Sequence, residues 1–220
     1  MESPFDIPFD DLPTDIPIFP LPGAMLLPHG HLPLNLFEPR YLNMAMDALS
    51  EKRVIGMIQP MEYQPDPVPA DAVLYKIGCT GRIISYAETE DGRIMITLKG
   101  MLRFNVTAEL AAQNGYRCVK ADYAAFRGDL GNDSGGEIPR DELLPLLRKY
   151  FDVMSIRVDW DALEKAGDEY LVTSLAMSCP FQVGEKQALL EAPNIVEMSR
   201  TLMALMEMAI RGGGEEPSRQ

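Results

Sequence analysis

Between Ile16 and Tyr41 the chain is almost wholly apolar, yet it is interrupted by Pro17, Pro20, Pro22, Pro28, Pro33 and Pro39. A helix cannot tolerate this spacing, because each interior proline removes an amide donor and clashes with the preceding turn. The stretch must therefore be buried, irregular and extended. Short strands are expected at Ile16 to Phe19 and Leu32 to Phe37, with turns at Pro22-Gly23 and Pro28-His29-Gly30. At Glu38-Pro39-Arg40 the period changes. Pro39 suits the first turn of a helix, where its missing amide costs little, and Tyr41, Leu42, Met44, Ala45, Ala48 and Leu49 follow at helical spacing.

Downstream, Val54–Ile58 reads as a buried strand, and Gln59 to Ala70 is too rich in proline for regular structure. In that loop Met61 and Tyr63 can either pack on the core or present a contact surface. Strands are expected over Tyr75 to Ala87, Arg93 to Val106 and Gly115 to Ala124. Glu90-Asp91-Gly92 forms a hairpin turn between the first two, since glycine accepts a positive φ. Several strands around one apolar interior, with a helix at one end, predict a small barrel. Past a linker at 127–137, which contains an Arg127-Gly128-Asp129 triplet read as coincidental, the period becomes helical. Helices are expected from about Asp141, read as a cap, to Met154, with Pro145 limiting extension upstream, and at Trp160 to Lys165, Glu169 to Met177, Glu185 to Leu190 and Asn194 to Arg211. The stripe of Met198, Leu202, Leu205, Met206 and Ala209 is read as core.

The opening stretch, Gly78–Ile83, the Asp91-Gly92-Arg93 turn, Leu98–Phe104 and Glu185–Ala192 together resemble the Lon N-terminal domain, the substrate-binding portion of ATP-dependent Lon proteases, in a free-standing form. The resemblance covers roughly residues 15 to 210. It implies an α+β fold, an N-terminal PUA-like β-barrel with one helix followed by a C-terminal α-helical bundle, and it implies recognition of polypeptide. The expected division is an acidic disordered arm at 1–15, the barrel at 16–126, the linker at 127–137, the helical part at 138–211 and a disordered tail at 212–220. Docking of Phe5 or Phe9 would tie down the arm.

Chemistry is sparse. The sequence has no Gly-x-x-x-x-Gly-Lys-Ser/Thr loop for nucleotide phosphates and no Gly-x-Ser-x-Gly turn. His29 and His31 share one face of a strand, but no cysteine or carboxylate cluster nearby completes a metal shell. Asp159 and Asp161 flank Trp160 at the start of a helix, and capping is the simpler account of the pair. No catalytic residue, metal or cofactor is assigned, and the chain is read as non-enzymatic. Cys79, Cys118 and Cys179 are odd in number and far apart, which predicts buried, reduced thiols.

Glu38, Arg40, Arg82 and Arg103 border buried segments. Either they form a docking surface, or Glu38 pairs with an arginine and, beside Pro39, pins the corner helix; the structural reading is preferred. The polypeptide-binding candidates are thus Met61, Tyr63, Arg40, Arg82 and Arg103, on apolar surface where barrel, loop and helical part meet.

A formal net charge of −13 opposes binding to duplex nucleic acid or an anionic membrane, because both depend on neutralising phosphates. Barrels of this type also occur in RNA-modifying proteins, which makes an RNA-binding module the alternative. No apolar run is long enough to cross a bilayer, and the amino terminus lacks the basic start of a signal peptide; a cytoplasmic monomer or weak homo-oligomer is expected.

Overall fold

The computed structural model describes residues 7–62, 67–131 and 136–213. The chain folds as two compact units, one formed by Met1–Pro22 and Leu26–Gly131, the other by Gly23–Met25 and Asn132–Gln220.

The first unit is built on a mixed sheet of β1 (Asp15–Pro20), β2 (His31–Leu36), β3 (Val54–Ile58), β4 (Ile77–Glu88), β5 (Ile94–Gln113) and β6 (Tyr116–Asp122). Its order is β2-β5-β4-β3-β1-β6, and β5 also pairs with β6, so five of the strands close into a cycle. Only β1 and β3 run parallel; the other pairs are antiparallel. Closure depends on the length of β5, 20 residues, whose first part pairs with β4 and second part with β6. Register shifts at Ile83/Ser85 and Val106/Ala108 bend the ladder, as an extra residue on one strand does.

Ile16, Ile18, Val54, Ile58, Leu102, Phe104, Val119 and Ala121 fill the interior. Phe104 is fully buried, and its ring fits because the strands opposite carry no side chain at two places. A Cβ on Gly56 or Gly78 would lie 2.9 or 2.6 Å from its Cζ. The helix α1 (Pro39–Ser50) starts with Pro39 in its first turn, and buries Tyr41, Met44, Ala45 and Ala48 at the spacing of one helix face. The Tyr41 ring meets Phe19 of β1 at 4.2 Å between centroids.

Three boundaries differ from the sequence reading. The described part of the acidic arm is structured: Phe9–Asp11 is a 3₁₀ turn, Leu12 joins the core, and the Arg127 guanidinium lies 4.5 Å from the Phe9 ring. Residues 1–6 lie outside the described residues. The start of the linker is also structured, with a 3₁₀ segment at Ala124–Leu130. Finally, β5 runs well past Val106, because Asn114 and Gly115 both take positive φ, 46° and 90°, and turn the chain directly into β6.

The second unit contains α2 (Arg140–Val153), α3 (Trp160–Lys165), α4 (Asp168–Ser178), α5 (Val183–Glu191) and α6 (Ile195–Arg211). Asp159 caps α3 by accepting from Ala162 N at 3.2 Å, and Asn194 caps α6 by accepting from Glu197 N at 2.9 Å. The helix α2 begins one residue before Asp141, so Asp141 lies in its first turn rather than capping it, and Pro145 is accommodated inside. Met198, Leu202 and Met206 are buried, which makes the methionine-rich stripe core. Lys186 is buried too, and its ammonium donates to Met177 O at 3.2 Å and Gly23 O at 2.6 Å. That contact ties the Gly23–Met25 segment into this unit.

Candidate functional site

The corner at Pro39 roots a loop. Glu38 accepts from Arg40 Nε at 2.9 Å, and both side chains are 20% exposed. Arg40 also donates from Nη2 to Val68 O at 2.7 Å and stacks 4.6 Å over Tyr41. Val68 and Ala72 are buried, and Arg117 donates to Ala72 O at 2.7 Å. A bridge between Pro60 and Leu74 closes the neck of the loop, with Met61 N donating to Val73 O and Tyr75 N to Gln59 O. Above this neck Met61 is half exposed, at 51%. Tyr63 lies outside the described residues. Arg40 thus positions the loop through its backbone. Because the Glu38–Arg40 pair is only partly buried, Glu38→Gln should lower stability by about 1–2 kcal/mol, read as a shift in denaturant midpoint.

Arg103 does not belong to a surface. It is 7% exposed and donates from Nε and Nη2 to the two carboxylate oxygens of Asp129, at 2.9 and 2.6 Å, while its own backbone N–H also reaches Asp129 at 2.9 Å. Its guanidinium lies 4.8 Å from the Phe126 ring. Burial and this fork exclude it from a docking set. Arg82 is half buried on β4, opposite Val54 of β3. The polar cluster read from sequence therefore resolves into two ion pairs, Glu38–Arg40 and Arg103–Asp129. Asp129 comes from the triplet that reads as coincidence.

Nucleophilic chemistry finds little support. All three cysteines are buried and free; burial pushes the Cys79 and Cys118 thiols up, and the Cys179 thiol to about 12. His29 sits in the corner at φ 62° and His31 opens β2, both exposed. Among the described residues no group of three His, Cys, Asp or Glu could hold a metal, and no helix is long and apolar enough to cross a membrane.

One surface was missed by sequence reasoning. Between α1 and β4 runs a groove of about 430 Å³, lined by Met46, Leu49, Arg53, Ile83, Ile84 and Tyr86. Met46, Ile84 and Tyr86 are 51%, 43% and 50% exposed. The available signal was a mismatch of lengths, since β3 is too short to cover the strand beside it.

The chain matches the family model of the ATP-dependent protease La (LON) substrate-binding domain over residues 15–208. A Lon protease of Anaeromyxobacter dehalogenans is 25% identical over 221 residues, covering 96% of this chain and 25% of that protein. Lon protease 2 of Myxococcus xanthus is 30% identical over 123 residues, 56% of this chain and 14% of its own length. The chain thus spans a quarter or less of these curated relatives. Among solved structures, a Lon N-terminal domain protein from Xanthomonas campestris superposes with a TM-score of 0.59 at 24% identity, covering 87% of this chain and 98% of that one. The N-terminal domain of a Mycobacterium avium complex Lon protease gives 0.57 at 15% identity, covering 88% and 98%.

Proposed function

This chain belongs to the ATP-dependent protease La (LON) substrate-binding domain family, and from that premise we propose that it binds polypeptide and presents it for proteolysis as an adaptor. Its fold is that of the Lon N-terminal domain. The observation that carries the reading is the family match across both units, residues 15–208. The loop supports it: Met61 is an exposed apolar side chain above a neck held by backbone bonds, so it can be covered by a partner without rearranging the core.

Binding of this kind rests on apolar contact and should depend weakly on salt. The test is titration of a labelled, reduced and alkylated protein that cannot refold. Met61→Ser combined with Tyr63→Ser should weaken its affinity roughly tenfold, the loss of about 1.4 kcal/mol of apolar contact, with the melting temperature nearly unchanged. A wild-type titration without saturation at high micromolar concentration, or binding abolished by moderate salt, overturns the proposal.

A further inference from the structure

We propose that the open edge of β4 from Ser85 to Glu88 receives an extended polypeptide as an added strand, its apolar side chains entering the groove beside α1 and a carboxylate meeting Arg53. The inference rests on the polypeptide-binding reading and adds to the Met61 loop a second place of contact, on a different set of residues.

The edge arises from unequal strand lengths. β3 covers β4 only from Cys79 to Arg82, ending at the pair Val54 and Arg82. One further bond follows, from Ile83 N to Arg53 O at 2.8 Å. From Ser85 to Glu88 the inner side of β4 stays paired with Thr97 to Ile94 of β5, while among the described residues no strand lies along the other side. What such an edge offers is a row of backbone N–H and C=O groups, and an extended main chain is the partner that completes them. The outer strand β2 is also an edge, but Pro33 in its middle withdraws an amide; β4 carries no proline.

The groove argues for the same occupant. A strand laid against this edge would place alternate side chains toward Met46, Ile84 and Tyr86, three large apolar groups otherwise left in water. Arg53 immediately precedes β3, lines the groove, and has no ion-pair partner among the described residues. An acidic side chain or terminal carboxylate on the peptide complements it.

The experiment uses the full chain and a labelled decapeptide of alternating leucine and threonine ending in aspartate. Two further versions carry N-methyl groups on one or the other set of alternate amides. Strand addition predicts that one methylated set binds at least about tenfold more weakly and the other binds like the parent, because only one set faces the edge. Ile84→Lys should weaken the parent peptide by about the same factor with an unchanged melting temperature, since Ile84 is exposed. Arg53→Glu should weaken the aspartate peptide and strengthen one in which lysine replaces the aspartate. Equal binding of both methylated sets overturns strand addition in favour of loose apolar contact. If the peptides do not bind and the chain instead dimerises in a manner that Ile84→Lys abolishes, the occupant is a second copy and the proposal fails. Unfolded protein binding equally well to wild type and Ile84→Lys refutes the edge while leaving polypeptide binding intact; unfolded protein not binding wild type at all refutes the broader reading.

Discussion

Gly100→Ala should destabilise the first unit by at least about 4 kcal/mol, at the upper end of what single substitutions do, because the added methyl group meets backbone. Gly100 lies on the inward face of β5, in the alternation that buries Ile94, Ile96 and Leu98. The corner Leu27–Gly30 is folded onto it: His29 N donates to Gly100 O at 3.1 Å, and Gly100 N donates to Gly30 O at 2.8 Å. A Cβ at this position would stand 1.9 Å from Leu27 O and 2.8 Å from Leu27 C. Neither atom belongs to a side chain that can rotate away, so relief requires moving the corner, breaking both hydrogen bonds and exposing Leu26 and Leu27, which are almost wholly buried. Gly128→Ala is the control, because nothing lies within 4 Å of its added methyl group. Its denaturant midpoint should stay within about 0.5 kcal/mol of wild type. A small effect at Gly100 would mean that the proline-rich corner gives way easily and does not anchor β5.

That corner explains why much of the first unit was legible. Prolines recurring at short intervals forbid helix through Ile16 to Phe37, so only strand and turn remain, and the turns fall where Gly23 and His29 take positive φ. Pro39 then marks the start of α1, and the burial of Tyr41, Met44, Ala45 and Ala48 follows from one helical period. Legibility ended where the determining fact was a relation between distant segments. β5 continues past Val106 although Thr107 to Gln113 show no sustained alternation in the sequence; the Asn114-Gly115 turn is the signal that sets its end. The groove between α1 and β4 exists because β3 has 5 residues and β4 has 12, a comparison between strands that reading each by itself does not make. Arg103 looked like a docking candidate since its partner lies 26 residues away, in a glycine-rich stretch with no periodicity to suggest that Asp129 would be buried. Charge on a strand signals a surface only until an opposite charge is brought over it.

The same pair yields the second large effect. Asp129→Ala removes the acceptor of three hydrogen bonds at once, from Arg103 Nε, Arg103 Nη2 and the Arg103 backbone N–H, and leaves a guanidinium buried without its carboxylate. Both side chains of the pair are 8% exposed, so water cannot readily replace the lost partner, and the expected cost is about 3–5 kcal/mol. The Phe126 ring gives some compensation through its face, but a cation–π contact contributes only about 0.5–2 kcal/mol. Removing the charge as well should therefore recover stability. In Arg103→Met with Asp129→Leu no ion is buried, and the double variant should be more stable than Asp129→Ala by about 2 kcal/mol or more, even though it retains none of the native bonds. What the double variant cannot restore is the bond from the Arg103 backbone N–H, so it should stay below wild type by about 1–2 kcal/mol. The measurement is a double-mutant cycle of denaturant midpoints that includes Arg103→Met alone and Asp129→Leu alone. Additive losses across the cycle would show that the two groups do not act as a pair, and that the 3₁₀ segment at Ala124–Leu130 is held on the sheet by its apolar contacts instead.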